Sequence, residues 1–176
     1  MAEEKSSGFS EKMKQDRLVF YEEDIEPINE ILSDCLDASQ AKCALLIDKE
    51  GHLVTKKGFT KSIDTTSLAA LIAGSFASTR QMAKMLGESE FSVLFHQGKN
   101  ENIHLSLISE RAILVIIFDD RTTIGMVRLY ANEISSKIDK VLQEAAERQK
   151  DRPQDEISEK FKDEAEKKLD SFFDEN

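Results

Sequence analysis

The residues most open to a chemical reading are Asp119-Asp120-Arg121, which follow a long apolar run. An arginine projected from the exit of a strand can reach into a partner's active site, as arginine fingers do. Equally, Arg121 can pair with its own neighbouring aspartates, and such surface pairs do little beyond local ordering. Ser67 with Asp64 three residues earlier suggests a nucleophile and an acid, but the same residue types in the same order cap a helix. His52, His96 and His104 are far apart in sequence, and Cys35 and Cys43 lack the two-to-four-residue spacing of a zinc knuckle. His96 and His104 can face each other across a hairpin, although solvated strand histidines are the commoner outcome. No Gly-x-x-x-x-Gly-Lys-Ser/Thr and no Gly-x-Gly-x-x-Gly occurs, so no phosphate cradle is visible. These observations predict no catalytic residue, no metal site and no cofactor, hence no enzymatic activity of the chain's own.

Periodicity supplies the elements that would carry those residues. Ile25, Ile28, Leu32, Cys35 and Leu36 recur at helical spacing behind Glu22, Glu23, Asp24 and Glu26, with Pro27 read as lying in the first turn. The apolar run 43–47 and His52-Leu53-Val54-Thr55 flank a turn at Gly51 and predict a hairpin. Asp64-Thr65-Thr66-Ser67 can cap a second helix. Its predicted stripe is Leu68, Leu71, Ile72, Ser75, Phe76, Thr79, Met82, Ala83 and Leu86, and it stops at Gly87. Phe91, Val93 and Phe95, then Ile103, Leu105 and Leu107, alternate with partners that include His104 and Ser106, predicting strands with one wetter face. After a tight turn at 109–111, the unbroken apolar run 112–118 suits a central strand covered on both sides. Thr122 or Thr123 can cap a long last helix carrying Ile124, Val127, Ala131, Ile134, Ile138, Val141 and Ala145. The expected fold is therefore α+β, in the order αββαβββα, with a five-stranded antiparallel sheet flanked by helices.

The chain has 176 residues and a formal charge of −10, from 34 acidic and 24 basic side chains. That length suits one domain with appendages. Residues 1–17 read as a disordered extension, 18–148 as the domain, 149–156 as a linker and 157–176 as an amphipathic helix carrying Ile157, Phe161, Ala165, Leu169, Phe172 and Phe173. No run approaches the ~18 apolar residues of a membrane span, and the first residues do not form a secretory leader. With only two cysteines the expectation is a cytoplasmic protein with reduced thiols. The acidity argues against nucleic acid, and the acidic balance of the tail argues against a membrane surface.

The second helix holds an oddity: Ala69, Ala70, Ala73, Gly74 and Ala77 are small residues spaced by three and four beside the bulky stripe. Glycine inside a helix costs about 1 kcal/mol relative to alanine, which implies a packing reason. Either the helix is buried within one subunit, or it lies at an interface, where charges are depleted. The tail likewise either packs on its own domain or enters a partner's groove.

Three stretches resemble the Roadblock family: Tyr21-Glu22-Glu23, residues 63–74 from Ile63-Asp64-Thr65-Thr66 to Ala73-Gly74, and residues 118–129 around Asp119-Asp120-Arg121-Thr122-Thr123. The similarity spans about residues 21–142 and is strongest to the bacterial branch concerned with cell polarity and gliding motility. The ending Leu169-Asp170-Ser171-Phe172-Phe173 is also similar to that branch. The resemblance implies a homodimer in which second helices and edge strands of two subunits meet, forming a platform for a Ras-like small GTPase. It implies a GTPase-activating regulator that donates no arginine and instead orders the GTPase's own residues, with a tail that affects nucleotide exchange. Carried over to this sequence, the GTPase-facing positions are Ala70, Ala73, Gly74, Ala77 and Gln81 on the helix, and Leu169, Phe172 and Phe173 on the tail. Recruitment to a cell pole is compatible with this reading. The alternative is a Roadblock-type dimeric scaffold that changes no GTPase rate.

Overall fold

The computed structural model describes residues 22–151, so the readings that fall on residues 1–17, 152–156 and 157–176 lie outside the described residues. Helix α1 (Glu22–Ser39) leads into β1 (Cys43–Asp48) and β2 (Leu53–Gly58). Helix α2 (Thr65–Met85) precedes β3 (Val93–Gln97), β4 (Asn102–Ile108) and β5 (Ala112–Phe118), and α3 (Ile124–Asp151) closes the described chain. Two units divide the chain at Ala145/Ala146, and the second is described only in the last residues of α3. That helix continues to Asp151, into the segment read as linker. The five strands form one sheet in the order β2-β1-β5-β4-β3, every neighbouring pair antiparallel. The fold is α+β with the predicted element order. β5 is central and buried at every position, as an unbroken Ala-Ile-Leu-Val-Ile-Ile-Phe run requires.

Strand alternation sends side chains into two cores. On one side Ala44, Leu46, Leu114 and Ile116 meet Ile28 and Leu32 of α1 and Val127, Ala131, Ile134 and Ile138 of α3. On the other, Leu45, Ile47, Ile113, Val115 and Ile117 meet Ala69, Ile72 and Phe76 of α2. Two helices thus cover one face, and a single helix serves the other. Each fully buried Leu or Ile contributes about 1.5–3 kcal/mol.

Three local readings need correction. The face of β4 read as wetter is closed: His104 and Ser106 are buried, because α3, 28 residues and roughly 42 Å long, runs over that side. Ser106 Oγ and His104 Nε2 are 2.9 Å apart, and burial, with Arg128 nearby, lowers the imidazole pKa below its ordinary value. The cross-strand partners are Phe95 with His104 and Ile103 with His96, so the two histidines occupy opposite faces and do not meet. Pro27 lies inside α1 on an exposed position, further in than the first turn. The β4–β5 connection is the three-residue turn 109–111, with Ser109 (φ 49°) and Glu110 (φ 56°) both left-handed and the Arg111 N–H donating to Ile108 O at 3.0 Å. Asp139 of α3 accepts a hydrogen bond from the Ser109 hydroxyl and holds that turn in place.

Candidate functional site

Helix α2 begins where its cap dictates. The Ser67 N–H donates to Asp64 Oδ1 at 3.1 Å and the Ser67 hydroxyl to Oδ2 at 2.6 Å, and these bonds hold the Asp64 carboxyl below the usual carboxylate range. Both side chains are occupied in starting the helix, which leaves no Ser–Asp pair for nucleophilic chemistry. At the other end the Glu88 and Gly87 N–H groups return to Ala83 O and Lys84 O, terminating the helix at the expected glycine.

Between these ends the apolar residues of α2 run around more of its circumference than one sheet face can cover. Ile72, Phe76 and Ala83 are buried, but Leu71 is 70% exposed and Met82, Met85 and Leu86 are also exposed. The single stripe read from the sequence is therefore two surfaces. Leu71, Ser78 and Met85 are seven apart, as are Ser75 and Met82, so these residues form one outward seam with the geometry of a helix-pairing face. Its serines keep that face neutral by turning inward: Ser75 Oγ donates to Leu71 O and Ser78 Oγ to Gly74 O, each at 3.0 Å. The seven-residue spacing is the signal that separates these positions from the core stripe.

The small residues also divide. A Cβ added to Gly51, in the β1–β2 turn at φ +94°, would lie 2.9 Å from Ala70 Cα, 3.2 Å from Ala73 Cβ and 3.3 Å from Ala69 O. The first part of the small stripe is thus where the hairpin turn lies against α2, and Ala69 and Ala73 are buried. Ala70 has its Cα in that contact, yet the residue is exposed. Around Gly74 nothing lies within 4 Å of an added Cβ, and Ala77 and Gln81 are exposed. Ala70, Gly74, Ala77 and Gln81 form an uncharged strip about a quarter of a turn from the Leu71–Met85 seam. Leu169, Phe172 and Phe173 lie outside the described residues.

The sheet has two unlike edges. β2 carries Lys56 and Lys57, and charge on an edge discourages further pairing. β3, Val-Leu-Phe-His-Gln, has no Lys, Arg, Asp or Glu, and Val93 and Phe95 are exposed, with the Phe95 ring stacked on Phe118 at 6.2 Å between centroids. An uncharged edge of this kind is suited to pairing with another strand.

Arg121 and Arg80 are tied locally. Arg121 Nε donates to Asp119 Oδ1 at 2.8 Å, which lowers the Asp119 pKa and raises that of Arg121. Arg80 pairs with Glu90 at 3.5 Å. Both pairs are exposed and weak. Cys35 and Cys43 belong to opposite cores, and burial pushes both thiols up to about 11, which keeps them protonated and unreactive. Among the described residues no three His, Cys, Asp or Glu side chains converge as metal ligands, and no helix is long and apolar enough to cross a membrane.

A five-stranded sheet with two helices on one face and a lone, partly uncovered helix on the other is an α+β layout of the Roadblock type, and the chain belongs to the Roadblock/LC7 family, whose domain matches residues 27–118. Within that family the structure is similar to MglB from Myxococcus xanthus, at 39% identity and a TM-score of 0.69, covering 73% of this chain and 96% of that one. It is also similar to the gliding protein MglB of Thermus thermophilus, at 33% identity and a TM-score of 0.69, covering 72% and 96%. A further MglB structure, described as having a tetrameric arrangement, matches at 32% identity and a TM-score of 0.70, covering 73% and 96%.

Proposed function

We propose that this protein is a homodimeric regulator of an MglA-like, Ras-like small GTPase, and that it accelerates GTP hydrolysis by ordering the GTPase's own catalytic residues. The observation that carries this reading is the uncovered outer surface of α2, in a chain 39% identical to an MglB. The Leu71–Met85 seam and the uncharged edge of β3 pair two subunits. The strip Ala70, Gly74, Ala77 and Gln81, with Ala73 behind it, faces the GTPase, since a surface of small neutral residues lets another backbone approach closely. Arg121 and Arg80 are held by Asp119 and Glu90, which favours a mechanism of positioning over one of donated charge. On this reading the protein has no active site of its own. The segment 157–176, with Leu169, Phe172 and Phe173, reaches the GTPase and tunes nucleotide exchange.

The test is GTP turnover by an MglA-like GTPase with and without this protein, alongside the molar mass of the protein alone. Stimulated turnover by a dimer is the expected result. Binding with no change in turnover would instead establish a scaffold of the Roadblock type. Removing residues 157–176 should leave stimulation and dimer mass in place while changing the rate of nucleotide release.

A further inference from the structure

Away from α2 and β3, the end of α1, the end of β2 and the β5–α3 connection enclose an open cleft of about 370 Å³. Its floor requires glycine at position 58, where a Cβ would lie 2.5 Å from Lys42 O and 2.8 Å from Cys43 Cα at a φ of +85°. Volumes of this order are those of ligand sites. The charged side chains on its wall are Lys42, Lys57 and Arg121 against Asp37 alone, in a chain whose net charge is −10. The charge balance of the molecule is therefore inverted along this wall, and a cleft in which one sign of charge predominates concentrates the opposite sign. Lys42 is engaged with Glu101, but among the described residues Lys57 forms no ion pair. Arg121 uses Nε for Asp119, which leaves both Nη groups of its fork as donors. Ser33 and Gln40 add polar groups to the wall. Beside the cleft, Phe59 is 57% exposed and lies 5.7 Å below the Lys42 ammonium.

We propose that this cleft docks an acidic peptide segment of a partner protein, with Lys57 and Arg121 receiving its carboxylates and Phe59 covering an adjacent apolar side chain. The exposed ring and the open shape favour a peptide over a free anion, which has no use for an aromatic neighbour. No lining residue belongs to α2 or β3, so this site is separate from the surface assigned to the GTPase.

The experiment uses the full chain and a fluorescent, short Asp/Glu-rich peptide containing one Phe, read by anisotropy at low and at physiological salt. Saturable binding that weakens with salt is expected, with Lys57→Glu lowering the affinity about tenfold or more and Phe59→Ala by a smaller factor. Lys57→Gln, which removes the charge without reversing it, should fall between wild type and Lys57→Glu and covers the case in which the reversal perturbs folding. Amide resonances of Ser33, Gln40 and Gly58 should shift on titration. The proposal is overturned by equal affinity for the Asn/Gln version of the peptide, by unchanged affinity in both Lys57 variants, or by shifts that map elsewhere. Complete displacement by inorganic phosphate at matched ionic strength would also overturn it, by making this a free-anion site.

Discussion

The two ends of the small-residue stripe on α2 have similar composition and opposite surroundings. The Gly51 turn of the β1–β2 hairpin lies against the Ala73 Cβ and the backbone of Ala69 and Ala70, so closely that the turn itself has no room for a side chain, and Ala69 packs into the core beneath α2. Gly74 and Ala77, one turn further on, have open space in front of them. The stripe is therefore half an internal packing solution and half an unused surface. Small residues at helical spacing mark a close approach without saying whether the approaching chain belongs to the same molecule. The second half is where an external partner is expected, because no contact among the described residues accounts for it.

Four substitutions sharpen or break that contrast. The largest effect is expected from Ala77→Arg. A long charge forced into a close helix contact should weaken association with an MglA-like GTPase by about 3–5 kcal/mol while the thermal melt stays within a degree or two. Titration calorimetry giving the wild-type affinity would remove this part of α2 from the interface. Next, Gly51→Val adds a branched Cβ at positive φ and 2.9 Å from Ala70 Cα. The expected cost is about 3 kcal/mol of stability, a Tm drop of roughly 10 °C by calorimetry, and a melt like wild type would mean that the turn does not constrain α2. Gly74→Ala should do the reverse on a smaller scale, raising stability by up to about 1 kcal/mol because the added methyl meets nothing. If it lowered Tm, the second half of the stripe would be internally packed like the first. The smallest effect belongs to Arg121→Ala: stimulation of GTP hydrolysis should stay within about twofold of wild type, since the reading requires positioning and no donated arginine. Loss of stimulation with binding retained would show that Arg121 acts as a finger after all.

Much of the architecture is legible because each element carries its own local signal. The run 112–118 has no polar interruption, and it is the central strand. Asp64 and Ser67 stand three apart at a helix start, and they cap it. The reading of α2 fails where the signal is ambiguous. Leu71, Met82 and Leu86 share helical spacing with Ile72, Phe76 and Ala83, and periodicity merges apolar positions into one broad face without knowing how wide a neighbour is available to cover it. His104 and Ser106 are misread for the converse reason. Alternation marks them as the polar side of β4, whereas their burial depends on a helix that begins about 20 residues later and passes over them. The candidate positions are half legible: the small residues stand out by composition, but only the fold separates Ala73 from Ala77.

The sequence by itself determined the order and type of the elements, the helix cap at Asp64, the central place of β5 and the lack of a recognisable phosphate loop, because these depend on residues close together along the chain. Only the tertiary structure decided which apolar and small residues are core and which are surface. It also decided that His96 and His104 lie on opposite faces and that Lys42, Lys57 and Arg121 line one cleft. Burial and juxtaposition are set by which distant elements pack against one another, and a single helix laid on a five-stranded sheet necessarily leaves part of its apolar circumference for something else to cover.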